Sequence, residues 1–176
     1  MVVLAPYVIF IIVRGAIVSH WVSKGNYALS KKEFDNALYA YNKVIKKKPT
    51  LAIAYHNRGM VYYYKNQNDL AMSDYTKAIE LEKLAGSYNN RGVIYKITGQ
   101  YDKAISDFDK AIELDKKDVM VYINKAETYE ELGRKLEAIE AYKSYLLFAP
   151  PYDHYIEIAK QNIINISGTI DKRNSM

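Results

Sequence analysis

The sequence predicts an all-α fold: a solenoid of four helix hairpins closed at its C-terminal end by a ninth, capping helix. Three observations carry this. The first is self-similarity: Gly25, Gly59, Gly92 and Ala126 recur at intervals of 34, 33 and 34 residues, and Ala37, Ala71, Ala104 and Ala138 keep the same spacing. So do Tyr41, Tyr75, Phe108 and Tyr142, and again Trp21, Tyr55, Tyr88 and Tyr122. A fifth register, Tyr62, Tyr95 and Tyr129, lacks its first member, where Ala28 stands. The second observation is that each period holds two amphipathic segments of about 14 residues, apolar at 3–4 spacing. The third is a helix stop between them, such as Thr98-Gly99 or Leu132-Gly133.

Composition agrees. The 176 residues are 49% hydrophobic and 26% charged, as in a globular chain, and without cysteine there is no disulfide, thiolate metal site or cysteine nucleophile. A formal charge of +5 suggests nucleic acid or a membrane surface as partner. That excess is confined to residues 1–50, and its densest part is Lys43, Lys46, Lys47 and Lys48. These lysines read either as the basic end of a solvated helix or as a lipid-facing patch.

Taken in order, residues 1–17 are an apolar segment, and 18–51, 52–84, 85–118 and 119–152 are the four repeats. Residues 153–167 form the capping helix and 168–176 a polar tail. Val2 to Val13 carries no charge, and twelve helical residues span about 18 Å, less than a hydrocarbon core of about 30 Å. Extension to Val22 gives enough length but takes in Arg14 and borrows Trp21 from the first repeat. The segment is therefore a membrane anchor, an uncleaved signal or a helix capping the first repeat. As an anchor it would tether cytoplasmic-facing repeats through residues 1–22 and the four lysines. At the other end, Asp153 is a good N-cap, Ile156, Ala159, Ile163 and Ile166 make one apolar face, and Gly168 is the expected stop.

Within a hairpin, the small residues Gly59 and Ala71 are expected to let the two arms approach, with tyrosines filling the space beside them. Arg58 and Asp74, like Arg91 and Asp107, are symmetric about the hairpin turn and are expected to pair across it in a structural role. Lys24/Ala40 and Lys125/Ala141 replace both partners together in the outer repeats.

The third unit, SYNNRGVIYKITGQYDKAISDFDKAIELD, resembles the tetratricopeptide repeat family in its aromatic, Gly, Tyr, Gly-x-Tyr, Ala, Phe, Ala pattern. Four such units cover roughly 18–151. The closing proline is present as Pro49 and Pro150, but Lys83 and Lys116 replace it in the middle units. The resemblance implies a right-handed superhelix whose first helices line a concave groove, and a non-catalytic protein-interaction role. No cofactor is implied.

The residues give no sign of catalysis. His20, His56 and His154 fall in different parts of the array without metal-ligand spacing, and no glycine-rich phosphate loop is present. In the groove, the family pattern places Asn57, Asn90 and Asn124 at one equivalent position, with Asn26 and Asn89 nearby. Such amides either bond an extended peptide backbone or bond neighbouring helices. Beside them stand His56, Met60, Tyr63, Tyr64, Val93 and Ile97, with Glu127, Glu130 and Glu131 at the fourth unit. A peptide with hydrophobic anchors and a basic residue fits that lining. The clamp that some members use on acidic chaperone tails is poorly matched: Asn26 and Asn57 agree, but Val22, Gly86 and Asn90 stand where cations belong. An RNA-binding helical repeat and a membrane-tethered assembly factor are the alternatives. RNA needs a basic groove, and repeats two to four are nearly neutral.

Overall fold

The computed structural model describes residues 4–174, and the side chains of 15–170. Among the described residues there are nine α-helices and no strand. Backbone contacts divide the chain into two compact units, Met1–Lys83 and Leu84–Met176.

The first unit holds α1 (Leu4–Ser30), α2 (Phe34–Lys47), α3 (Ala52–Tyr64) and α4 (Asn68–Leu81). α1 pairs with α2 and α3 with α4, while α2 packs on α3 and α1 touches α3. The second unit holds α5 (Ala85–Ile97), α6 (Tyr101–Leu114), α7 (Val119–Glu131), α8 (Lys135–Phe148) and α9 (Tyr155–Asn174). Its hairpins are α5/α6 and α7/α8, α5 also meets α7, and α9 lies on α8.

Each hairpin turn uses one device. Lys32, Asn66, Gly99 and Gly133 have φ of 59°, 58°, 73° and 70°, the left-handed region. The reversal turns the next two N–H groups back onto the helix end: Gly99 N–H bonds Lys96 C=O, and Gln100 N–H bonds Tyr95 C=O. The other three turns repeat that pair of bonds. Asp35, Asp69 and Asp102 then stand in the first turns of α2, α4 and α6, where a negative charge suits the helix dipole.

The registers are the core. Ala37, Ala71, Ala104 and Ala138 are fully buried, as are Tyr41 and Phe108, with Tyr75 and Tyr142 nearly so. Each buried ring contributes roughly 1.5–3 kcal/mol by leaving water. The rings sit not beside the small residues, as expected, but directly on the glycines. A Cβ at Gly25, Gly59 or Gly92 would lie 2.6, 2.8 or 2.7 Å from a ring carbon of Tyr41, Tyr75 or Phe108. Hydrogen is the only side chain that admits the flat ring there.

Two other expectations are corrected. α9 does not stop at Gly168 but runs on to Asn174, so Thr169 is helical rather than the start of a polar tail. Its packing outweighs the glycine: Ile166 is buried, Ile170 joins the same apolar cluster, and Lys135 Nζ donates to Thr169 Oγ1 at 2.7 Å. At the other end, α1 is continuous from Leu4 to Ser30, the first helix of the first repeat, with no break at residues 17–18. The side chains of the apolar run up to Arg14 lie outside the described residues. Asp153 does cap α9: its Oδ1 accepts from Tyr155 N–H at 2.9 Å.

Candidate peptide-binding faces

The two arginines are built into their hairpins from the sequence upward. Arg58 donates from Nε and Nη2 to both oxygens of Asp74, each at 2.7 Å, and from Nη1 to Asn42 Oδ1 at 2.6 Å. Arg91 does the same with Asp107, at 2.7 and 2.8 Å. Residues three before and four after an arginine share its helix face, and they are tyrosines. The Arg58 guanidinium lies 5.6 and 5.7 Å from the ring centres of Tyr55 and Tyr62; Arg91 lies 5.6 and 5.9 Å from Tyr88 and Tyr95. Two of the tyrosine registers thus serve as cation–π plates. The carboxylate bonds raise the pKa of both guanidinium groups against the opposing effect of burial. Where the outer repeats lose the pair, the cation finds other company: Lys24 sits over Trp21, and Lys125 bonds Asp109 at 2.6 Å.

In the first unit, Asn57 Nδ2 donates to Asn26 Oδ1 at 2.9 Å, and the Tyr41 hydroxyl donates to the same oxygen at 2.8 Å. Burial pushes the Tyr41 pKa up to about 12, partly offset by the nearby Asn57 amide. Tyr63 and Tyr64 are tilted neighbours, and Tyr64 also stacks at 6.0 Å on Phe34 near the hairpin turn. His56 is half-buried, with its ring 5.8 Å from that of Tyr75, and burial lowers its pKa.

In the second unit, Asn124 Nδ2 donates to Asn89 Oδ1 at 2.9 Å, joining α7 to α5. Asn57 and Asn124 thus each use Nδ2 to bond a neighbouring first helix. Asn90 is half-buried on α5. Further along, Lys96 Nζ meets Glu127 Oε2 at 2.5 Å, and Glu130 accepts from the buried Tyr142 hydroxyl, to which Asn162 Nδ2 also donates at 2.9 Å. Burial first, then the Glu130 carboxylate, raises the Tyr142 pKa. An open hollow of about 420 Å³ lies here, lined by Lys96, Ile97, Tyr101, Glu127, Glu130 and Glu131. Ile97 and the three glutamates are sequence expectations; Lys96 and Tyr101 are additions. The missed signal is an offset. Asn26 to Asn57 and Lys96 to Glu127 are each 31 residues apart, one helical turn less than the repeat, and that spacing joins successive first helices. The described residues hold no cluster of three His, Asp or Glu side chains placed for a metal ion.

Models of the tetratricopeptide repeat match residues 52–83, 85–118 and 108–140, and a TPR repeat model matches 25–65. Among solved structures, the MamA protein superposes with a TM-score of 0.77 at 23% identity, covering 92% of this chain and 86% of that one. YrrB, a TPR protein with an unusual peptide-binding site, gives 0.71 at 20% identity, covering 87% and 77%. The first TPR of Spaghetti (RPAP3), bound to HSP90 peptide SRMEEVD, gives 0.63 at 20% identity, covering 66% and 93%. The likeness to these three is one of fold, and the repeat registers agree with the matched ranges: the chain belongs to the tetratricopeptide repeat family.

Proposed function

We propose that this chain is a non-catalytic interaction scaffold that takes an extended peptide segment of a partner protein on the first-helix faces of its repeats. The observation that carries the reading is the hollow beside α5 and α7. It combines an apolar edge, Ile97 and Tyr101, with Glu127, Glu130 and Glu131 against a single lysine. A site of that composition favours a peptide with a basic residue beside a hydrophobic anchor, and Asn90 on α5 supplies an amide for its backbone. Family membership supports the class of function, and YrrB and Spaghetti are relatives in fold described with peptide sites. On the first unit, Asn26, Asn57, His56, Tyr63 and Tyr64 make the corresponding face.

Phosphate-rich RNA and acidic chaperone tails both meet the wrong charge at the glutamates. The test is fluorescence polarisation with capped twelve-residue peptides, comparing basic–apolar with acidic–apolar sequences against the wild type, Glu131→Lys and Asn90→Ala. The basic set should bind, and each variant should weaken it about tenfold. Preference for acidic peptides, or equal affinity of wild type and both variants, would reject the reading.

A further inference from the structure

We propose that the N-terminal half of α1 embeds in an anionic lipid bilayer, with the C-terminal end of α2 resting on the headgroups. The argument begins with lengths. At 1.5 Å per residue, α1 with 27 residues is about 40 Å long and α2 with 14 about 21 Å. Their antiparallel register is fixed by Tyr41 against Gly25 and by Ala37 clustered with Ala28. Continuing it brings Lys46, Lys47 and Lys48 level with Val18 to His20. α3, parallel to α1 with Asn57 beside Asn26, starts at Ala52, level with Trp21.

Within this unit, then, α1 extends from Leu4 to Ile17 past both of its neighbours. Gly15 has nothing within 4 Å of its Cβ position, and Ala16 and Ile17 are exposed. The overhanging sequence is LAPYVIFIIVRGAI, with Arg14 its one charge. It is shorter than a hydrocarbon core of about 30 Å. The arrangement proposed is therefore an embedded anchor; among the described residues no helix is long and apolar enough to cross a membrane.

What identifies lipid as the occupant is the junction. Exposed Lys46, Lys47 and Lys48 close α2, while its acids Glu33 and Asp35 stand at the far end. Below the lysines, toward the hairpin turn, Trp21 packs edge-on to the exposed Tyr39 at 5.6 Å, Lys24 lies 5.1 Å over Trp21, and Lys43 lies 5.0 Å over Tyr39. Indole and phenol rings interleaved with lysines, directly below an apolar helix, match the composition of a membrane–water interface.

Flotation of the full chain with vesicles tests this, since lipid-bound protein rises and aggregates do not. Vesicles of neutral phosphatidylcholine are compared with vesicles containing about one third phosphatidylserine. The wild type should float with the anionic vesicles at least tenfold more than with the neutral ones. Lys46→Glu/Lys47→Glu/Lys48→Glu and, separately, Ile11→Asp/Ile12→Asp should each reduce flotation at least tenfold with unchanged helical circular dichroism. Wild type that stays down with both vesicles overturns the proposal. So does flotation that neither variant reduces, or a wild-type dimer in solution that Ile11→Asp/Ile12→Asp dissociates, which would make the segment a contact between copies.

Discussion

Arg91 meets Asp107 through two parallel hydrogen bonds, from Nε and Nη2 to the two carboxylate oxygens, with the Tyr88 and Tyr95 rings against the guanidinium. Asp107 is 6% exposed, so its charge depends on that partner. Arg91→Met should cost about 3–5 kcal/mol in urea denaturation, because it strands a buried carboxylate. Arg91→Met with Asp107→Leu should recover most of the loss, since the pair itself is worth less than either orphan. A single variant within about 1 kcal/mol of wild type would mean that water reaches the carboxylate.

Glycines in this chain divide by what faces them. Gly92→Ala puts a methyl 2.7 Å from Phe108 Cε1. The resulting overpacking, about 1–3 kcal/mol, exceeds the helix-propensity gain of about 1 kcal/mol, for a net loss near 1 kcal/mol. Gly168→Ala meets nothing within 4 Å in the middle of α9 and should stabilise by about 0.5–1 kcal/mol. Opposite signs in denaturant midpoints check the pair.

Lys32 and Asn66 occupy the left-handed turn position that Gly99 and Gly133 fill elsewhere. An L-residue there pays about 1–2 kcal/mol, less for asparagine. Lys32→Gly should therefore raise stability by about 0.5–1 kcal/mol, and Asn66→Gly by less. Thermal melts of the two variants should rank in that order; a drop for Lys32→Gly would show that its side chain holds the turn.

His56 gives the first unit a pH dependence. Burial lowers its pKa in the fold below the ordinary value of 6.5, so the unfolded chain binds the proton more readily. The contribution is complete above about 6.5 and is lost as pH falls through the lower folded value. Melting temperature should decline between about pH 7 and 5, and His56→Gln should flatten that decline. An unchanged slope in the variant would assign the effect to other groups.

The hairpins were legible because each rule acts inside one repeat and recurs, the alanine register four times and the Arg/Asp pair twice. The spacing of Ala37, Ala71, Ala104 and Ala138 reports burial, and the sixteen-residue symmetry of Arg58 and Asp74 reports a contact across a turn. Gly168 misled because glycine's cost, about 1 kcal/mol, is local, whereas Ile166 and Ile170 answer to the apolar surface of α8. The amides were half legible: the repeat period places Asn57 and Asn124, but their partners Asn26 and Asn89 sit at two different repeat positions. Lys96 escaped notice because its contact with Glu127 follows the period less one turn.

The unbroken α1 makes helical phase a variable of this molecule. A helix turns about 100° per residue, so one residue inserted near Gly15 would swing the first hairpin by that angle about the axis of whatever grips residues 4–14. Seven inserted residues would bring it nearly back to its starting azimuth while moving it about 10 Å outward. Direction and reach of the first unit are therefore written separately into the length of one rod.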